Sequence, residues 1–155
     1  MSTQTKEMIR DLYSALSGGN VEALLNAMTD DVNCYSPGGA PYSGHHMGRD
    51  AVRHYFAEFD RAVRLDQFDV DDVLEDGDRV VVLGRERATV KETGRDFTTR
   101  FAHVYRLRKG KIVDVAIFDD THAAASAFGE SARERQAMGG PMGVTHEAYS
   151  GRTRE

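Results

Sequence analysis

The stretch from Phe97 to Asp120 constrains this chain more than any other. Two arms rich in β-branched and aromatic residues flank a break at Arg108-Lys109-Gly110. Such side chains suit a pleated, half-buried surface, and the glycine lets the chain reverse, so the stretch predicts a β-hairpin of two long strands. Side chains alternate faces along a strand. Thr99, Phe101, His103 and Tyr105 therefore share one face of the first arm. Val113, Val115, Ile117 and Asp119 are expected on the same face of the second. An imidazole in the middle of an otherwise apolar face marks the expected pocket.

With 155 residues the chain suits one domain, long enough to bury a core without covalent staples. The formal net charge of -5 argues against nucleic acid or an anionic membrane as partner, because both need a basic face. Cys34 is the single cysteine, so one chain can build neither a disulfide framework nor a multi-cysteine zinc site. No apolar run approaches the ~20 residues that span a bilayer. The opening Met-Ser-Thr-Gln-Thr-Lys-Glu has no apolar signal-peptide core, and the expected setting is cytoplasmic.

Read in order, Thr3 to Leu16 has helical periodicity and stops at Gly18-Gly19. Asn20 caps a second helix, Val21 to Met28. A short strand, Val32 to Ser36, precedes a loop through Pro37-Gly38-Gly39-Ala40-Pro41. Gly48-Arg49-Asp50 opens a third helix that carries Val52, Phe56, Phe59 and Val63 as its apolar stripe. Leu65 to Leu74 and Arg79 to Lys91 read as strands about an Asp-Gly-Asp turn, followed by the hairpin and a short helix, His122 to Phe128. Helices followed by a run of strands give an α+β domain with an antiparallel sheet. Wrapped around three helices, a curved sheet makes a cone with an open end, which is a ready small-molecule pocket.

The chain carries Gly-Asn-Val-Glu-Ala-Leu-Leu, Thr-Asp-Asp-Val, Gly-Arg-Asp-Ala-Val-Arg, Asp-Gly-Asp-Arg-Val-Val-Val and Gly-Lys-Ile-Val in this order. With that element order it resembles the SnoaL-like branch of the nuclear-transport-factor-2-like superfamily from Lys6 to Phe128. The resemblance implies a cystatin-like cone over residues 1–128. Residues 129–155 are expected to form an extension that packs on a partner subunit. It implies a homodimer through the outer sheet face, which carries Ala102 and Val104. It is specific for fold and poor for activity, because the same cone serves isomerases, epoxide hydrolases, cyclases, dehydratases and binding modules.

Carried over by position, the aspartate base of ketosteroid isomerases falls on Ser36. Their tyrosine donor falls one residue short of Tyr13, and their aspartic donor falls on His103. The water-binding pair of limonene epoxide hydrolase falls on Cys34 and Ser36, its arginine on Arg87, and its aspartates on Thr89 and Ile117. The histidine of SnoaL-type cyclases matches His103. Their aspartate falls on Ile117, with Asp119 two residues on, ~6.6 Å along the strand.

The catalytic candidates are thus His103, Asp119, Arg87 and Tyr13. An unperturbed imidazole titrates near pH ~6.5, so His103 could exchange protons at neutral pH. Arg85, Arg87 and Thr89 alternate along one strand, which the match makes the pocket face. Arginines there need a carboxylate or anionic ligand, since a lone buried charge is costly. Tyr13 and Ser36 could supply hydroxyls, and Cys34, Phe56, Phe101, Val115 and Ile117 would form pocket wall. His45 and His46, in the loop after Ser36, suit a lid better than a metal site, because no His-x-x-x-His spacing accompanies them. The expected function is cofactor-free, metal-free acid–base chemistry on a small hydrophobic molecule: cyclisation, isomerisation, or gain or loss of water. The alternatives are a non-catalytic binding module and an assembly domain with a filled cone.

Overall fold

The computed structural model describes residues 2–129. The chain runs α1 (Ser2–Ser17), α2 (Val21–Asn26), β1 (Met28–Ser36), β2 (Gly44–Met47), α3 (Arg49–Ala62), β3 (Val63–Asp76), β4 (Arg79–Val90), β5 (Asp96–Arg108), β6 (Lys111–Phe118) and α4 (Thr121–Phe128). The six strands form one unclosed, curved sheet in the order β2-β1-β6-β5-β4-β3. The helices cover its concave side, giving the α+β cone that the sequence predicts. The expected extension beyond Gly129 lies outside the described residues.

Local chemistry sets the boundaries. The Asn20 side chain accepts a hydrogen bond from the Ala23 amide and caps α2. Asp120 does the same for α4 through the Ala123 amide, at 2.9 Å. The β5–β6 turn places Lys109 and Gly110 at φ 51 and 76, the two left-handed residues of a tight hairpin.

Two sequence expectations change. The stretch after Ser36 is not loop throughout, since Gly44–Met47 pairs antiparallel with β1 and puts His45 and His46 on an edge strand. The sheet is also not wholly antiparallel: β1 and β6 run parallel, with Cys34 opposite Val115. The chain leaves β1 through β2 and α3, crosses to the far edge, and returns strand by strand to close beside β1 in the same direction.

The core has two lobes. Ile9, Leu25, Val32, Val52, Val82 and Ile112 are fully buried beneath α1 and α2. Tyr42, Val63, Ala88, Val90, Phe97 and Phe128 pack at the other end, against α3 and α4. Each valine, leucine, isoleucine or phenylalanine among them contributes roughly 1.5–3 kcal/mol by leaving water. One irregularity matters for the site. β6 carries an extra residue opposite Arg106 and Leu107. Ile112 therefore takes the core position expected for Val113, which belongs to neither lobe. Beyond that bulge Val115 and Ile117 face inward with His103, as the alternation predicts.

Gly84 is required where it stands. A Cβ there would collide with the carbonyl oxygen of Asp69, where β3 bulges, and with the ring of Phe101. Gly84→Ala is therefore expected to destabilise the fold by about 1–3 kcal/mol, the usual cost of overpacking. Thermal unfolding reads this directly, and an unchanged Tm would contradict the packing described.

Candidate active site

A cavity of about 740 Å³ lies between the two lobes. Its walls come from α1, α2, α3 and the concave face of the sheet, and both apolar lobes contribute to it. The cone is therefore not filled by its own side chains, as a purely assembling domain would require.

One end holds a hydrogen-bonded group of three side chains. Tyr13, from α1, places its hydroxyl 2.7 Å from His103 Nδ1 and 2.6 Å from the Tyr105 hydroxyl. The His103 ring stacks on Phe101 with centroids 4.2 Å apart, and Phe101 stacks in turn on Phe68. Burial pushes the imidazole down to about 3, so His103 is neutral at physiological pH. Tyr13 and Tyr105 are held well above the usual phenol range, chiefly by the same burial, and keep their protons. The chain can run in two directions, and each leaves one donor without a partner among the described residues: Nε2–H when Tyr105 donates to Tyr13 and Tyr13 to Nδ1, the Tyr105 hydroxyl when Nδ1–H donates to Tyr13 and Tyr13 to Tyr105. A neutral His103 accepting at Nδ1 carries its proton on Nε2, which makes no hydrogen bond to the described residues. In that tautomer the site presents one N–H donor, on a ring held in orientation by Tyr13 and an aromatic stack.

The other end holds two carboxyl groups. Glu86 from β4 and Asp119, the residue that follows β6, both line the cavity. Burial first, then the charge of Asp119, raises Glu86 from its ordinary 4.5 to about 7. Asp119 is itself raised, by burial and by neighbouring Asp120. The two carboxyl groups are coupled, and negative charge on Asp119 favours the protonated form of Glu86. Tyr42 faces both, and after burial their two charges are what push its phenol up. No cation among the described residues makes a salt bridge to either carboxyl.

The structure corrects the strand face chosen for β4. Arg85, Arg87 and Thr89 lie on the convex side, not in the cavity. Arg85 makes a two-pronged contact to Asp71, at 3.1 and 3.2 Å. Arg87 pairs with Asp96 at 3.1 Å and is half exposed. Thr89 donates its hydroxyl to Asp66. The physical reason is the cost of burying guanidinium groups against apolar wall, combined with strand register. Val82 pairs with His103, so the even-numbered residues of β4 face inward: Val80, Val82, Gly84, Glu86 and Ala88. Glu86 is the residue that the sequence reading missed. The signal was present: a β4–β5 hairpin turning about Thr93-Gly94 sets Glu86 opposite Thr99, which was already placed on the face of His103.

The remaining candidates divide. Tyr13, Cys34, Phe56, Val115, Ile117 and Asp119 line the cavity with His103. Phe101 is buried behind His103 rather than in the wall. Ser36 is buried and sits in a small recess behind the cavity, beside Tyr42 and Asp119. Burial, with some help from Asp114, pushes the Cys34 thiol up to about 12, which leaves it an inert apolar wall group. His45 stacks on Tyr35 at 4.4 Å, whereas His46 bonds to the Tyr42 carbonyl and lies against Tyr55. With His54 set beside Glu58, these rings do not converge on a common point.

An α+β cone with an unclosed six-stranded sheet and an internal cavity defines the NTF2-like class of fold. Residues 9–115 match the SnoaL-like domain family, and the chain belongs to it. Similar solved structures agree. An NTF2-like protein of unknown function from Burkholderia pseudomallei is 28% identical, with a TM-score of 0.74, covering 81% of this chain and 97% of that one. TerC, co-crystallised with polyporic acid, is 26% identical, with a TM-score of 0.69, covering 79% and 96%. A SnoaL-like polyketide cyclase candidate from Jannaschia sp. CCS1 shares the fold at 19% identity and a TM-score of 0.72, covering 83% and 93%. A comparison with curated proteins gave no match. Among the described residues no helix is long and apolar enough to cross a membrane.

The raised carboxyl makes a signed prediction about stability. The native pKa of Glu86 lies above its unfolded value, so its contribution is fully present below about pH 4.5 and is lost as pH rises through about 7. The loss is of the order of 3 kcal/mol, from ~1.36 kcal/mol per pKa unit. Glu86→Gln cannot ionise. Its Tm is expected to gain steadily on wild type between pH 4.5 and 8, and a pH-independent difference would contradict the assignment.

Proposed function

We propose that this protein is a cofactor-free SnoaL-like enzyme that acts on a hydrophobic small molecule by proton transfer, through isomerisation, cyclisation, or gain or loss of water. The observation that carries this reading is the coexistence, in one largely apolar cavity, of an oriented imidazole and two carboxyl groups. In this reading His103 Nε2–H holds the oxygen of a carbonyl group as negative charge develops on it. Asp119 is the base that removes a proton from the adjoining carbon. Tyr13 orients His103 and keeps it in the donating tautomer. Arg87 has no part, given its place outside the cavity.

Family membership and the cavity volume support a small-molecule ligand. Known relatives include one crystallised with polyporic acid, an organic acid. A second reading, a binding module without catalysis, is favoured by one feature: the position matching the cyclase aspartate is Ile117. Native mass spectrometry of the purified protein is the direct way to find the molecule that occupies the cavity. With that molecule as substrate, His103→Ala is expected to keep binding and to lose about 10²–10³-fold in turnover, the usual cost of one oxyanion donor. Full turnover in that variant would remove the assignment, and binding with no turnover in wild type would favour the module.

The same proposal includes a homodimer without nucleic-acid or membrane partners, in the cytoplasm. The outer sheet face supports a second copy. Val104 and Ala116 are paired neighbours on it, and Phe118 beside Ala102 is 53% exposed. Phe118→Glu is expected to lower the sedimenting mass from dimer toward monomer while leaving the cavity unchanged. A wild-type monomer would end this part.

A further inference from the structure

We propose that Glu86 is a second catalytic residue of this cavity: the acid that works with Asp119 as base in removing water from, or adding it to, a neutral hydrophobic β-hydroxy carbonyl compound. The inference rests on the acid–base reading above and narrows it to one reaction.

The argument starts from what each group lining the cavity can give. Asp119, ionised, can take a proton but has none to deliver. His103 is neutral, and in the proposed role its one proton stays on Nε2 as a hydrogen-bond donor. Tyr13, Tyr42, Tyr55 and Tyr105 are all held above the usual phenol range, and the Cys34 thiol is pushed up to about 12. Among the described residues deep in the cavity, only Glu86 carries a proton it can release and regain near neutral pH. The groups facing it are Asp119 just after β6, Tyr42 from the segment between β1 and β2, and Tyr55 from α3. Thr99 stands opposite on β5, with its hydroxyl engaged by the Asp120 amide and the Arg100 carbonyl. None of these is a cation, so nothing strips the proton from Glu86 before substrate arrives.

Position supports the same assignment. Ile117 pairs with His103, and Asp119 lies two residues on, about 7 Å along the sheet. Thr99, opposite Glu86, lies four residues from His103, about 13 Å in the same direction. Donor, base and acid therefore come in that order along the strand direction of one wall, with Asp119 and Glu86 on opposite sides of β5. A β-hydroxy carbonyl compound presents its carbonyl oxygen, acidic carbon and hydroxyl in that order.

The step balances without an oxidant or a cofactor. Asp119 takes the proton from the carbon beside the carbonyl. The C–H bond breaks, and its electron pair becomes an enolate whose oxygen is held by His103 Nε2–H. The pair then forms the C=C bond as the β C–O bond breaks. The leaving oxygen takes the Glu86 proton and departs as water. The proton on Asp119 passes to the Glu86 carboxylate and restores the starting state, and hydration is the same sequence reversed.

Two measurements test this. The first uses 4-phenylbutan-2-one in deuterated water and 4-hydroxy-4-phenylbutan-2-one as paired probes. Exchange at the first needs donor and base only, whereas loss of water from the second also needs the acid. Wild type is expected to catalyse both and Asp119→Asn neither. Glu86→Gln is expected to keep the exchange and to lose dehydration by about 10²-fold or more, the usual worth of a general acid. Exchange with dehydration indifferent to Glu86→Gln overturns the role of Glu86 alone. No exchange in wild type overturns the acid–base reading itself. The second follows the Glu86 carboxyl by carbon NMR in the free protein. Its midpoint is expected near pH 7 in wild type and lower in Asp119→Asn. An ordinary midpoint in wild type, or one unmoved by Asp119→Asn, overturns the shared proton whatever the activity shows.

Discussion

The hydrogen-bonded group of Tyr13, His103 and Tyr105 ties the N-terminal helix to the middle of the sheet, and the cavity depends on that tie. Three polar tips enter an apolar interior, where each would be costly alone. They satisfy one another, so the cost is offset only when α1 seats its tyrosine over β5. Buried networks of this kind strengthen each bond by polarising its neighbour, and they admit a single geometry. The stack of His103 on Phe101, and of Phe101 on Phe68, fixes the plane of the imidazole as well. Gly84 belongs to the same support, because its missing side chain is what lets the Phe101 ring lie flat against β4.

That support divides the cavity chemically. At the network end desolvation removes charge: the imidazole is neutral and the phenols are protonated. At the far end desolvation acts on two carboxyl groups that share a wall with no cation, and it raises both. Burial therefore has opposite consequences for the two ends. It leaves the histidine unable to carry a second proton and leaves the glutamic acid unwilling to lose its first. A donor that does not ionise and an acid that does are separated along one strand direction. That separation is the condition for moving a proton without charging the whole cavity at once.

Much of this was legible in the residues. The hairpin from Phe97 to Asp120 has a period-two pattern strong enough to place His103, Val115, Ile117 and Asp119 on one face. Only the bulge that swaps Ile112 for Val113 escaped, since bulges leave no composition signal. β2 was missed because four residues with two histidines and a glycine have little strand propensity of their own, and pairing with β1 supplies the rest. The β4 error is more instructive. Both parities of that strand contain valine, so alternation alone does not choose a face. The match to relatives favoured the arginines, whereas two physical arguments opposed them: guanidinium groups avoid apolar wall, and the turn fixes β4 against β5. Either would have turned Glu86 inward.

The parity of β4 also sets where the second carboxyl of the cavity stands. Where the cyclase pattern has an aspartate, the last strand here offers Ile117, packed against both lobes of the core. Carboxyl groups in a cone are constrained by burial rather than by a particular strand, because any inward position near Asp119 sees the same low dielectric and the same neighbouring charge. Glu86 meets that condition from β4, across β5 from the last strand. A glutamate reaches further than an aspartate, which suits a site one strand removed.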